Sequence, residues 1–212
     1  MNDGSGVGSD QGDGGAPGLI PLGTDHPVWD RFFQVFPLIV VGTKELDGSV
    51  DLAPKHMAIP MGWENRFGFV CTPRHGTYVN ARREGVFTVS FPRPSQVLFA
   101  SLAAAPRCEE DTKPSLALLE TQPATVVDGV LLKDAYLHFE CETDRIIDDF
   151  GLNSLITGRI VEALVAEDAL RDLDVDDAEL TARSPLLAYV APGRYAEISQ
   201  TLAFPFHAGW SR

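Results

Sequence analysis

No stretch of this sequence approaches the roughly 20 consecutive apolar residues of a membrane-spanning helix. Its N-terminus also lacks the positive charge and apolar run of a secretory signal. Helical membrane anchoring is excluded on this reading, and a cytoplasmic protein is expected. Cysteine is scarce: Cys71, Cys108 and Cys141 lie far apart with no C-x-x-C spacing, which indicates neither a disulfide framework nor a zinc site and suggests reduced, buried thiols. Basic residues are also few, 17 Lys+Arg against 30 Asp+Glu, for a formal charge of -13 and a pI near 4.7. That balance argues against an electrostatic grip on nucleic acid or on an anionic membrane. What remains is 212 residues, 44% hydrophobic, enough for one ordinary globular core.

Residues 1–18 hold seven glycines, three aspartates and no basic or aromatic residue. They carry too little apolar area to offset the entropy of ordering, so a disordered tail is expected, followed by one domain over 19–212. Asp25 with Pro27 reads as a helix start, and Trp29, Phe32, Phe33 and Phe36 at helical spacing read as core. Strands are expected at Pro37–Thr43, Arg66–Cys71, Val86–Phe91, Thr125–Leu132, Tyr136–Thr143 and Leu155–Val165. Tyr136–Thr143 alternates, which sets Leu137, Phe139 and Cys141 on a core face and His138 and Glu140 on a polar one. Helices are expected at Tyr78–Glu84, Ser95–Ala104, Pro114–Thr121 and Asp176–Ala182. Short strands with helices at one end give a mainly β fold, a β-barrel with peripheral helices.

The segment most informative about chemistry is Phe67–Gly85. A strand runs into Thr72-Pro73-Arg74-His75-Gly76-Thr77 and then into a helix, so unpaired amides and the helix dipole would meet an anion there. Arg74 and the Thr77 hydroxyl could close on a phosphate; equally, Thr77 could be a plain N-cap and Arg74 solvated. From Lys55 to Arg107 there are seven basic and two acidic residues, a local +5 in an acidic chain, which favours a small bound anion such as a nucleotide phosphate.

Several blocks in order resemble the flavin reductase-like, FMN-binding split-barrel family. They are Asp47-Gly48-Ser49-Val50-Asp51-Leu52-Ala53-Pro54, Thr72-Pro73-Arg74-His75-Gly76-Thr77-Tyr78-Val79-Asn80, and Glu84-Gly85-Val86-Phe87-Thr88-Val89-Ser90-Phe91-Pro92. Gly158-Arg159-Ile160-Val161 and Pro192-Gly193-Arg194-Tyr195 follow, so the likeness spans roughly Pro37 to Ile198. The resemblance implies a homodimer of FMN-binding split β-barrels, with FMN, or FAD in some members, reduced by NAD(P)H. Electrons would then pass to an acceptor or a partner monooxygenase. It implies that Ala53, Pro54, Lys55, His56 and Met57 face the flavin ring. Thr72, Arg74, His75 and Thr77 would hold the phosphate, and Asn80 would support the turn.

Two positions depart from the family pattern. His56 stands where Ser is frequent, and Asn153 stands where a His is common, five residues before Gly158. Both are candidate catalytic residues on this resemblance, His56 either replacing the missing imidazole or serving a structural hydrogen bond. An electron-transfer flavoprotein and a non-catalytic flavin- or haem-binding module on the same barrel are the alternatives. The aromatic C-terminal segment, with Phe204, Phe206 and Trp210, is expected to pack across a dimer or over the flavin groove.

Overall fold

The computed structural model describes residues 18–108, 112–172 and 174–209; the expected tail, apart from Gly18, and Trp210 lie outside them. Twelve strands and three α-helices follow in order: β1 Gln34–Pro37, β2 Ile39–Lys44, β3 Val50–Lys55, β4 Ala58–Pro60, β5 Arg66–Cys71, α1 Gly76–Glu84, β6 Val86–Phe91 and α2 Val97–Ala103. Then come β7 Thr121–Pro123, β8 Val130–Leu132, β9 Leu137–Phe150, β10 Asn153–Val165, α3 Asp177–Arg183, β11 Leu186–Ala191 and β12 Arg194–Ile198. Seven strands make an antiparallel sheet ordered β3-β2-β6-β9-β10-β5-β4 that curls into a half-barrel. A three-stranded sheet, β1-β11-β12, and the β7-β8 pair complete the fold.

The large sheet buries both faces, because the central strands carry apolar side chains at successive positions rather than at alternate ones. Ile39 and Val41 of β2 join Phe67, Phe69, Phe87, Val89 and Ile156 in one cluster, closed by Tyr78 and Ala81 of α1. The intervening Val40 points the other way, into a second cluster with Leu52, Ala100, Ala103, Val130 and Leu132 beneath α2. Gly158 of β10 is required by the first cluster: a Cβ there would sit 2.7 Å from the Phe87 ring and 2.9 Å from the Glu142 carbonyl oxygen. Gly158→Ala should therefore lower stability by about 1–3 kcal/mol, the range for overpacking a core, as read from the denaturation midpoint.

Several expectations change. The aromatic run after Asp25 is not a core helix: a short 3₁₀ turn at Trp29–Arg31 leads into β1, with Val35 opposite Val190 and Phe36 opposite Tyr189. Aromatic and β-branched residues suit a strand once a partner strand is present, and that pairing overrides the helical spacing. Trp29 is 59% exposed and Phe33 66%, so neither is core. Thr125–Leu132 is half loop, with only Val130–Leu132 a strand. The supposed polar face of Tyr136–Thr143 is buried too: His138 is hydrogen-bonded to Ser90 (3.0 Å), and Glu140 is fully enclosed. Of the thiols, Cys71 and Cys141 are buried and Cys108 is exposed. Pro114–Leu118 is a 3₁₀ turn rather than an α-helix, and α3 starts one residue after its Asp176 cap. Among the described residues no helix is long and apolar enough to cross a membrane.

Candidate functional site

A strand ending beneath a helix N-terminus builds the site. β5 stops at Cys71, Thr72-Pro73-Arg74 turns the chain, and His75 rather than Thr77 occupies the N-cap of α1, its own side chain making no capping bond. The helix starts two residues earlier than the sequence suggests, since Tyr78 and Val79 already donate back to the His75 carbonyl. The amides of Gly76 and Thr77 donate to no acceptor among the described residues. The Arg107 guanidinium lies against Gly76: a Cβ there would sit 2.5 Å from it and would push the guanidinium aside.

Next to this helix start is a pocket of about 260 Å³. Its chemistry comes from Lys55 at the end of β3, His75 and Thr77 of the α1 start, Arg107 and Lys113 from the segment after α2, and Asp51. Asp51, 2% exposed, organises the cations. Its Oδ1 lies 2.9 Å from the Lys113 ammonium and 3.4 Å from Arg107, and its Oδ2 accepts from the Thr77 hydroxyl at 3.3 Å. Arg107 also pairs with Glu45. Lys113 donates further to the Leu52 carbonyl at 3.1 Å. Three cations thus face the pocket against two carboxylates, with two helix-start amides added.

Burial, reinforced by Lys113, holds the Lys55 ammonium below its usual 10.5, against the pull of Cys71 and Asp51. Burial together with Lys55 and Lys113 lowers His75, against Asp51, so this imidazole is neutral at pH 7. These shifts fit a pocket that is partly desolvated and short of negative charge. A dianionic phosphate group matches that need in size and sign.

Of the residues expected from the sequence, Ala53, Pro54, Lys55, His75 and Thr77 line this pocket together. Thr72, Arg74, Asn80, His56, Met57 and Asn153 are not among its walls. Arg74 is exposed on the turn. Asn80 is buried and donates to the Thr43 hydroxyl of β2 at 3.2 Å, so it braces α1 against the sheet rather than the turn. His56 is held between aromatic rings, 4.5 Å from Tyr189 and 5.4 Å from Phe36 by ring centroids. Burial and the neighbouring Lys55 push its imidazole below the usual 6.5. Asn153 begins β10 and is exposed; with Ser154 opposite Cys71, it sits at the sheet end where the turn starts.

The sequence reading did not single out Asp51 or Lys113. An acid between Val50 and Leu52 in a strand was the available signal for Asp51, while nothing local marks Lys113. The cationic run itself is largely spent elsewhere: Arg66 pairs with Asp144, Arg82 with Asp148, Arg83 with Glu84 and Arg93 with Asp168.

A curled antiparallel sheet with an anion pocket at its first helix is the frame of a split barrel. Residues 35–199 match the family described as flavin reductase like domain, and the chain belongs to that family. Among solved structures it is similar to flavoredoxin from Methanosarcina acetivorans, at 18% identity and a TM-score of 0.71, over 90% of this chain and 97% of that one. It is also similar to a putative flavin reductase with split barrel domain from Shewanella frigidimarina, at 17% identity and a TM-score of 0.70, over 82% and 87% of the two chains. A third likeness is to an FMN-binding protein from Thermus thermophilus, at 18% identity and a TM-score of 0.68, over 87% and 98%. These likenesses speak for the fold. No curated protein sequence matches the chain. The family match supports flavin-linked oxidoreduction as the class of chemistry.

Proposed function

We propose that the protein binds FMN and works as a homodimeric flavin oxidoreductase. NAD(P)H would be the reductant, and electrons would pass to free flavin, another acceptor or a partner monooxygenase. The observation that carries this reading is the convergence of Lys55, Arg107 and Lys113 on the open amides of Gly76 and Thr77, in a chain of net charge -13. Those groups would hold the phosphate, with Ala53 and Pro54 of β3 offering backbone beside it. Bound flavin supplies the hydride chemistry. The residues of this chain bind, orient and exclude water, and no side-chain acid or base is needed for that.

The second reading, a flavin-binding module or electron carrier without nicotinamide turnover, is favoured by two placements. His56 is packed between Phe36 and Tyr189 instead of lining the pocket, and the exposed Asn153 stands in for a frequent histidine.

The test is a visible-spectrum titration of purified protein with FMN and with riboflavin, then anaerobic NADH and NADPH. FMN should bind at least about tenfold more tightly than riboflavin, the scale of hydrogen bonds to a charged group. Arg74→Ala should weaken FMN by less than about fivefold, as for an exposed charge. Equal affinity for the two flavins would remove the phosphate assignment. Binding without reduction by either nucleotide would leave the module reading.

A further inference from the structure

We infer that a second recess, between α2 and the β11–β12 hairpin, seats a planar aromatic ligand bearing a carboxylate, with Arg194 as the partner of that carboxylate. The recess is about 390 Å³, within the range of small-molecule sites. Its apolar walls include Leu38, Val97, Leu98 and Ala104, and it shares Pro54 and Ala104 with the anion pocket. A ligand here would lie on the other side of that shared wall from the phosphate. As the seat of the substrate to be reduced, the recess rests on the flavin reading; as a binding site it does not.

Two tyrosines define the ligand's shape. Tyr189 and Tyr195 are directly opposed across β11 and β12, which sends both side chains to the same face of the hairpin, and both rings line the recess. Tyr189 is fixed from two sides. Its ring lies on His56, and its hydroxyl accepts from the Gly193 amide at 2.9 Å. Gly193 has a φ of +72°, a conformation that suits glycine, and this turn delivers Arg194 to the rim. A pre-set aromatic wall of this kind favours a flat π-system over an aliphatic chain.

Arg194 defines the charge. Eight arginines lie within 4.0 Å of a carboxylate; Arg31, Arg74, Arg183 and Arg194 have no such partner among the described residues, and of these four Arg194 is the one that lines the recess. A guanidinium at the mouth of an apolar recess, in a protein of strongly negative net charge, is matched by a carboxylate that can take two of its N–H groups at once.

The experiment uses the full chain in flavin-free and FMN-loaded forms. Benzoate and its neutral methyl ester are titrated against each, followed by amide and tyrosine chemical shifts. Benzoate should bind in both forms and perturb Tyr189 and Tyr195. Arg194→Gln should weaken benzoate by about tenfold or more, the scale of a charge-assisted hydrogen bond, while leaving FMN affinity unchanged. Leu98→Glu, a change at an exposed position, should also weaken benzoate by placing like charge on the wall. Equal binding of acid and ester, or an acid affinity indifferent to Arg194→Gln, overturns the inference. So does failure of both ligands to bind, the result given by a second copy of the chain seated on the hairpin. If benzoate binds through Arg194 but FMN never binds, the recess stands and the flavin reading falls.

Discussion

Glu140→Gln is expected to lower stability by at least about 3 kcal/mol, because it leaves several backbone amides and a hydroxyl of one loop facing an amide that can no longer accept from all of them. The Glu140 carboxylate is fully buried and takes the amides of Thr125, Val126 and Val127 at 2.6–2.9 Å together with the Thr125 hydroxyl at 2.8 Å. Nothing else in this part of the chain satisfies those donors, so the carboxylate is what shapes the loop before β8. Glu142→Gln, two residues on, breaks only an exposed pair with Arg159 and should stay within about 1 kcal/mol. Denaturant unfolding of the two variants beside the parent checks both values, and similar losses in the two would refute the assignment.

The pH dependence has a definite sign. Burial pushes the Glu140 carboxyl up, but the three amides and the Thr125 hydroxyl outweigh it, leaving it below the ordinary 4.5. A carboxyl that is more acidic in the folded state contributes stability that is complete above its unfolded value and is lost as pH falls through its folded one. Unfolding free energy should therefore fall on acidification below about pH 4.5, and this part of the fall should be missing in Glu140→Gln.

The second large effect concerns the anion pocket. Lys55→Met should weaken FMN by about 1.5–3 kcal/mol, roughly ten- to more than a hundredfold, while riboflavin affinity stays nearly constant. Methionine keeps most of the apolar stem, so the loss reports the ammonium rather than the packing. Burial and then Lys113 hold the Lys55 ammonium below 10.5, despite Cys71 and Asp51, and with it the charge that would meet the phosphate. It disappears on alkalinisation earlier than for a free lysine. Affinity measured from pH 7 upward should fall through that lowered value in the parent and be flatter in Lys55→Met. An equal loss for FMN and riboflavin would place Lys55 under the ring instead.

How far the sequence led can be judged from particular residues. Arg66–Cys71 and Val86–Phe91 appear with the expected bounds, since each is a short apolar run closed by turn residues. The turn before α1 was legible for the same reason: a strand, a Pro and a Gly in succession leave few conformations. Pairing partners were not legible. Whether Phe32 to Phe36 faces a core or an edge depends on β11, about 150 residues later in the chain, and Glu140 looks polar-facing until a loop fifteen residues earlier folds over it. The site divides in the same way. Lys55, His75 and Thr77 lie in motifs that can be read locally, whereas Lys113 reaches the pocket only because α2 packs on β3.

Lys113 also makes the pocket a seam of the fold. Its ammonium joins Asp51 and the Leu52 carbonyl of β3 to the Ala103 carbonyl that ends α2, at 3.5 Å for the last. The group that would meet a bound phosphate thus also ties down the second core cluster. Occupancy and folding are then linked quantities: an anion that binds only the folded chain stabilises it in proportion to the logarithm of its concentration over the dissociation constant. Because Lys113 bridges α2 to β3, opening of that contact would also take a cation out of the pocket.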